Sequence, residues 1–236
     1  MEEQIILYAE ELASILTQME TDLTLLIAEG LNKAEVNEMK DLQLKLDEVK
    51  RMKVQANKLI KQAEADFDKI YNEKLKVVYE DGYVEGQLDL VSKFGTFGSG
   101  GVIDQDKVKA LAKAYSGISS GVYKYVLRQT MDEYRQAFKK VGAMMQTGEY
   151  NKKQAIRVYT DELAKKGITK FVDKSGRRWS LDSYAEMVVR TNYVQTSIAG
   201  RTDCYKDNEL KYVIVSEHPE ECPKCSVWEN KVLRMD

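Results

Sequence analysis

Apolar residues recur along the first 92 positions in alternating steps of four and three. Leu12, Leu16, Met19, Leu23 and Leu26 form one run. Leu42, Leu46 and Val49 begin another, which continues through Ala56, Leu59, Ala63, Phe67 and Ile70. That spacing is the a/d seam of packed or coiled helices. Gly30-Leu31-Asn32 separates the runs and predicts an αα-hairpin. Its second helix would hold about 40 residues and span on the order of 60 Å. The seam suits an intramolecular bundle and equally a helix contact between molecules. A helix of that length serves reach and assembly better than the lining of a substrate pocket.

The pattern stops at Phe94-Gly95-Thr96-Phe97-Gly98-Ser99-Gly100-Gly101, where half the positions are glycine. No strand precedes this run and no Lys-Ser/Thr pair closes it, so it reads as a flexible linker over 94–103 rather than a phosphate cradle. Helical spacing resumes at Asp104. Helices are predicted over Asp104–Tyr115, Ser120–Gln146 and Lys152–Lys165, the last stopped by Gly167. Tyr115, Tyr123, Tyr125 and Tyr134 stand among lysines in this stretch. They fit rings that pack inward with wet hydroxyls, or alternatively platforms for bases or a partner.

After Gly167 the period changes. Ile168–Val172, the turn Asp173-Lys174-Ser175-Gly176 and Arg177–Trp179 read as a β-hairpin. Ser180 and Asp182 offer a cap and an acidic first turn to a helix over Asp182–Tyr205. Met187, Arg190, Thr191, Val194 and Ile198 share one face of it. Tyr212-Val213-Ile214-Val215 centres a strand over Glu209–Ser216, and Trp228 to Leu233 reads as a short turn and strand. The expected fold is therefore mainly α. A long N-terminal helical hairpin or bundle (1–93) is followed by the linker (94–103), a helical region (104–167) and a small C-terminal α+β module (168–236).

Charge and cysteine usage refine this picture. The formal net charge is only −2, but residues 1–92 carry a net −9 and residues 93–236 a net +7. The positive part could face nucleic acid or an acidic partner, although no dense basic run occurs; the other reading is two solvated surfaces of opposite sign. No segment approaches the ~18 consecutive apolar residues of a membrane span. The opening Glu2 and Glu3 do not resemble a secretory signal. All three cysteines, the one histidine and both prolines lie after position 203. An odd cysteine count with one C-x-x-C fits a reducing compartment.

Candidate chemistry therefore gathers in His218-Pro219-Glu220-Glu221-Cys222-Pro223-Lys224-Cys225. Cys222 and Cys225 place two sulfurs on one proline-stiffened turn. His218 can fold back onto the same point, and Cys204 at the end of the preceding helix can complete a tetrahedral set. Three thiolates and one imidazole make a closed structural Zn²⁺ site. The competing readings are a reduced knuckle whose cysteines merely pack, or a redox disulfide. No hydrolase constellation accompanies it, because the single histidine belongs to the cysteine cluster. The chain is expected not to be an enzyme.

Gly176-Arg177-Arg178-Trp179-Ser180-Leu181 and Tyr184-Ala185-Glu186-Met187-Val188-Val189-Arg190-Thr191 resemble the phage minor capsid protein 2 family, related to the Mu-type minor head proteins. The likeness continues through Val213-Ile214-Val215-Ser216, His218, Cys222-Pro223-Lys224-Cys225 and Trp228 with Lys231-Val232. Asn230 departs from the glycine usual there, and the family pattern goes on to a cluster resembling His-Pro-Asn-Cys that this sequence does not include. The resemblance implies a virion protein inside a tailed-phage head, present in the host cytoplasm during assembly. Implied partners are the portal protein, the major capsid protein or inner capsid surface, and packaged DNA. It also implies several copies, no membrane contact in the mature head, and work in head assembly and DNA packaging or delivery. Two other functions remain open: a zinc-knuckle nucleic-acid-binding protein without a capsid role, and the carrier half of a phage-encoded toxin.

Overall fold

The computed structural model describes residues 2–40, 45–95, 105–115, 118, 120–168, 170–172, 176–215, 223–224 and 226–235. The fold is mainly α, with helices α1 (Glu2–Lys33), α2 (Val36–Lys40), α3 (Leu46–Phe94), α4 (Gln105–Ala114), α5 (Ser120–Gln146), α6 (Lys152–Lys166) and α7 (Leu181–Asp207). Four short strands accompany them: β1 (Lys170–Val172), β2 (Arg178–Ser180), β3 (Tyr212–Ile214) and β4 (Val232–Arg234). Two antiparallel pairs result, β1–β2 with Phe171 opposite Trp179 and β3–β4 with Val213 opposite Leu233.

The chain divides into two compact units, one of residues 2–73 with 115–192 and one of residues 74–114 with 193–236. In the first, α1 packs on α6 and α5, α5 packs on α6, and α2 packs on α5. The buried line of α1 is Ile5, Ala9, Leu12, Leu16, Met19, Leu23, Ile27 and Leu31. It keeps the predicted four-three alternation up to Leu23 and then steps by four. Ile27 therefore takes the core position that the pattern assigns to Leu26, which is half-buried.

Gly30 does not end α1. It lies within the helix, and the chain turns after Lys33. A Cβ built at Gly30 would meet Met52 Cε at 2.7 Å and Tyr134 Cε2 at 2.9 Å. Glycine stands here to let α1 approach its neighbours, not to reverse the chain. The last carbonyls of α1 are instead served by Lys152, whose Nζ donates to Asn32 O at 2.7 Å and Ala34 O at 2.6 Å. A cation at a helix C-terminus satisfies orphan carbonyls and faces the negative end of the dipole. Burial lowers the Lys152 pKa.

The second long helix has 49 residues rather than about 40, so it spans about 73 Å. Its core line keeps Ala56, Ala63 and Phe67 of the predicted run and departs from it at the positions between and around them. Met52, Ala56, Ile60, Ala63, Phe67 and Tyr71 are buried, whereas Leu46 is 67% exposed and Leu59 is half-buried. Leu42 lies outside the described residues.

Local signals set the ends of the shorter helices. Asn151 caps α6 through a capping box, its side chain accepting from Gln154 N at 3.0 Å while Gln154 Oε1 accepts from Asn151 N at 3.0 Å. Gly167, at φ 74°, closes the same helix by donating to Leu163 O. Only a residue without a Cβ takes that φ freely.

Candidate functional site

Of the four proposed zinc ligands, Cys204 alone lies among the described residues; His218, Cys222 and Cys225 lie outside them. Cys204 is fully buried on α7, in a cluster with Tyr83 and Leu90 of α3. A Cβ built at Gly86 would stand 2.9 Å from Cys204 Cβ and 3.1 Å from its Sγ. Asn208 Nδ2 lies 3.9 Å from the sulfur and donates to Cys204 O at 2.9 Å. Burial, then the charges of Asp207 and Asp89, push the thiol pKa up. That environment favours the neutral thiol over the thiolate that a metal requires. Among the described residues, no group of three or more His, Cys, Asp and Glu is arranged to hold a metal.

What surrounds Cys204 is a close helix–helix seam within residues 74–114 and 193–236. Gly82 and Gly86 of α3 and Gly200 of α7 line it. A Cβ at Gly82 would collide with the backbone of Ser197, and one at Gly200 with the carbonyl of Tyr79. Because the obstacles at Gly82 and Gly200 are backbone atoms, the two helices can pack this closely only with glycine at these two points.

Rungs of hydrogen bonds flank the glycines. Tyr79 OH donates to Asp203 Oδ2 at 2.6 Å, and Tyr83 OH to Asp207 Oδ2 at 2.9 Å. Tyr205 OH donates in the opposite sense, from α7 to Asp89 Oδ2 at 2.6 Å. Arg201 pairs with Glu85 and reaches Asp89 at 3.8 Å, and Lys107 pairs with Asp203 at 3.4 Å. Phenol-to-carboxylate bonds are charge-assisted and directional, so they fix the register in which the two helices meet. The same bond keeps the proton on Tyr205, whose pKa is pushed up to about 12 by burial and by Asp89.

Sequence reading missed this seam. Its signal was present in Gly82-x-x-x-Gly86 inside an unbroken helical pattern. The pairs Tyr79/Tyr83 and Asp203/Asp207, each four apart, repeat that spacing.

Of the residues that carry the family likeness, Arg178–Ser180 fall on β2, Leu181 and residues 184–191 on α7, Val213 and Ile214 on β3 and Val232 on β4, while Ser216, His218, Cys222 and Cys225 lie outside the described residues. The face Met187, Arg190, Thr191, Val194 and Ile198 is exposed throughout, while Leu181, Ala185, Val189, Tyr193 and Cys204 are buried. Tyr212 and Ile214 on β3 and Val232 on β4 are 60–67% exposed. Beside β3 lies a groove of about 200 Å³ lined by Asp89, Lys93, Phe94, Tyr205, Leu210 and Tyr212, among others. On α3, Val77, Val84 and Val91 recur every seven residues and, with Leu88, form an exposed apolar stripe.

The tyrosines of the 104–167 region divide. Tyr123 and Tyr134 are buried. The Tyr123 hydroxyl is buried as well, with no partner among the described residues, so its hydroxyl is not wet. Burial, with Asp68 and Glu64 nearby, drives its pKa upward. Tyr125 is half-buried and donates to Lys170 O at 3.0 Å. Among the described residues, no helix is long and apolar enough to cross a membrane.

The family profile described as "Phage minor capsid protein 2" matches residues 1–236. A protein of Lactococcus phage LL-H, named "Structural protein", is 29% identical over 101 residues. Those residues make up 42% of this chain and 27% of that protein's length. No solved structure matches.

Proposed function

This chain belongs to the phage minor capsid protein 2 family, and on that footing we propose that it works by binding inside the head of a tailed phage. The observation that carries the reading is the family match over residues 1–236, supported by the likeness to a phage structural protein. In this reading the chain docks with the portal protein and the inner capsid surface, in several copies, and supports head assembly and DNA packaging or delivery. Long helices with exposed apolar positions suit such work, because they present repeated contacts over many turns.

The reading is tested by chemical cross-linking of assembled heads followed by mass spectrometry. It expects cross-links from the exposed lysines of α3, and from Lys33 at the end of α1, to portal subunits. Cross-links confined to tail proteins would contradict it. A panel of folded variants reversing exposed charge on α3, such as Lys50→Glu and Lys61→Glu, tests whether these helices dock. Both side chains are exposed, so lost incorporation would report on docking rather than folding. Normal incorporation by every variant would remove α3 from the interface.

The zinc site is part of the same proposal and rests on the spacing of His218, Cys222 and Cys225. Protein purified without added metal is expected to hold close to one zinc per chain, measured by elemental analysis. Because the surroundings of Cys204 favour its thiol, the metal is expected to persist in Cys204→Ser. Zinc below about a fifth of an equivalent would return the cluster to a metal-free knuckle.

A further inference from the structure

Helix α5 carries five cations, Lys124, Arg128, Arg135, Lys139 and Lys140, against only two carboxylates, Asp132 and Glu133. Neither carboxylate is free to neutralise the helix surface. Glu133 is 6% exposed and committed to Tyr159 and Lys166. Asp132 pairs with Arg135 at 2.9 Å. Lys140 turns toward α6, with its Nζ 5.5 Å from the centre of the Tyr159 ring.

The other four cations recur at steps of four, seven and four, and all are exposed. At 3.6 residues per turn this spacing confines them to a stripe about 60° wide and about 22 Å long. Lys124 and Lys139 make no ion pair among the described residues. Arg128 lies 5.3 Å from the centre of the Tyr125 ring. The Tyr125 hydroxyl is tied to Lys170 O, so this guanidinium is braced on a fixed aromatic face. Gln136, also exposed, and the half-buried Gln129 stand beside the stripe and add amide donors.

Like charges four apart on a helix repel one another. A stripe that keeps two such pairs, with a single carboxylate among them, gains most from a partner that is itself a line of negative charge. We propose that this face of α5 docks the phosphate backbone of double-stranded DNA. A duplex stretch as long as the stripe carries on the order of 13 phosphates. No exposed large apolar side chain lies between the four cations, whereas a protein interface would be anchored by buried aromatic or aliphatic groups. Lysines and arginines that meet phosphate oxygens position a protein without reading bases, so binding here is independent of sequence. The inference rests on the head-protein reading only for the identity of the polyanion.

The test is fluorescence anisotropy of a short random-sequence duplex with the full chain, titrated at several salt concentrations. Wild type should bind with a strong salt dependence. Each phosphate contact contributes about 0.9 to the slope of log K against log salt. The variant Lys124→Gln/Arg128→Gln/Arg135→Gln/Lys139→Gln should therefore lose about 3 to 4 from that slope and weaken binding at least about tenfold. A control with the same charge change on exposed sites of α3, Lys53→Gln/Lys58→Gln/Lys61→Gln/Lys69→Gln, should keep the slope within about 1. Circular dichroism confirms that both fold.

An unchanged slope in the α5 variant overturns the proposal, as does absence of binding at low salt. Equal affinity for polyglutamate at matched charge also overturns it, and would reassign the stripe to an acidic protein. A chain found in virions but blind to DNA would sink this inference and leave the head-protein reading standing.

Discussion

Glu133 is a carboxylate kept inside a helical bundle, and both of its oxygens are occupied. Tyr159 donates to Oε2 at 2.9 Å and Lys166 to Oε1 at 2.8 Å. Removing one donor from a buried charge costs more than an average hydrogen bond. Tyr159→Phe is therefore expected to lower stability by about 1–3 kcal/mol, read from urea unfolding. A loss below about 0.5 kcal/mol would mean that water replaces the phenol. The tyrosines also set a limit at high pH. Burial raises Tyr71, Tyr134 and Tyr205 from 10.0 to about 12. Asn192 partly offsets the shift at Tyr71, and Asp89 adds to it at Tyr205. With the folded values raised, the folded state holds its protons longer than the unfolded chain. The stability contributed by these groups is complete below pH 10 and is lost as pH climbs toward 12. Urea midpoints should hold steady to about pH 9.5 and then decline. Urea midpoints that stay level as pH climbs from 10 to 12 would contradict the burial of these rings.

At the scale of helices, the core line of α3 gives a direct contrast. Ile60 is 3% exposed and Leu46 is 67% exposed. Ile60→Asp should cost about 3 kcal/mol or more by burying an unpaired charge, while Leu46→Asp should cost less than about 0.5 kcal/mol. Thermal melts of the two variants separate the cases, and equal losses would restore the sequence-based seam. The glycine seam gives a second contrast. Gly200→Ala forces a methyl against the backbone of Tyr79, whereas Gly30→Ala meets the movable end of Met52 and the Tyr134 ring edge. The first should cost about 1–3 kcal/mol more than the second, and the reverse order would refute the close approach.

Much of the helix pattern was legible in the sequence. Ser120–Gln146 is seen as read, and α6 ends at Gly167 as its C-cap signal indicated. Such boundaries rest on neighbouring residues, which a sequence displays. Gly30 was misread because a glycine that opens space for a neighbour looks like one that breaks a helix. The Tyr79–Asp203 and Tyr83–Asp207 rungs join residues 124 apart, and no local period reveals such pairs. The metal set is legible as spacing alone, since the structure describes only Cys204 of its four members.

Over the whole molecule, the near-neutral net charge conceals an acidic N-terminal stretch and a basic remainder. Part of that positive charge stands on α5 as an exposed stripe, and the acidic stretch supplies Glu85 and Asp89 to the seam with α7. The family match makes this chain one of the phage minor capsid proteins, and its long helices carry exposed apolar positions such as Val84 and Leu88. The central claim is that this chain is a structural component of the phage head. Quantitative mass spectrometry of purified virions, before and after the tails are removed, tests it most directly. The account predicts that the chain is present in several copies per particle and stays with the head fraction. Its absence from purified virions, with abundant chain in the infected lysate, would contradict the account.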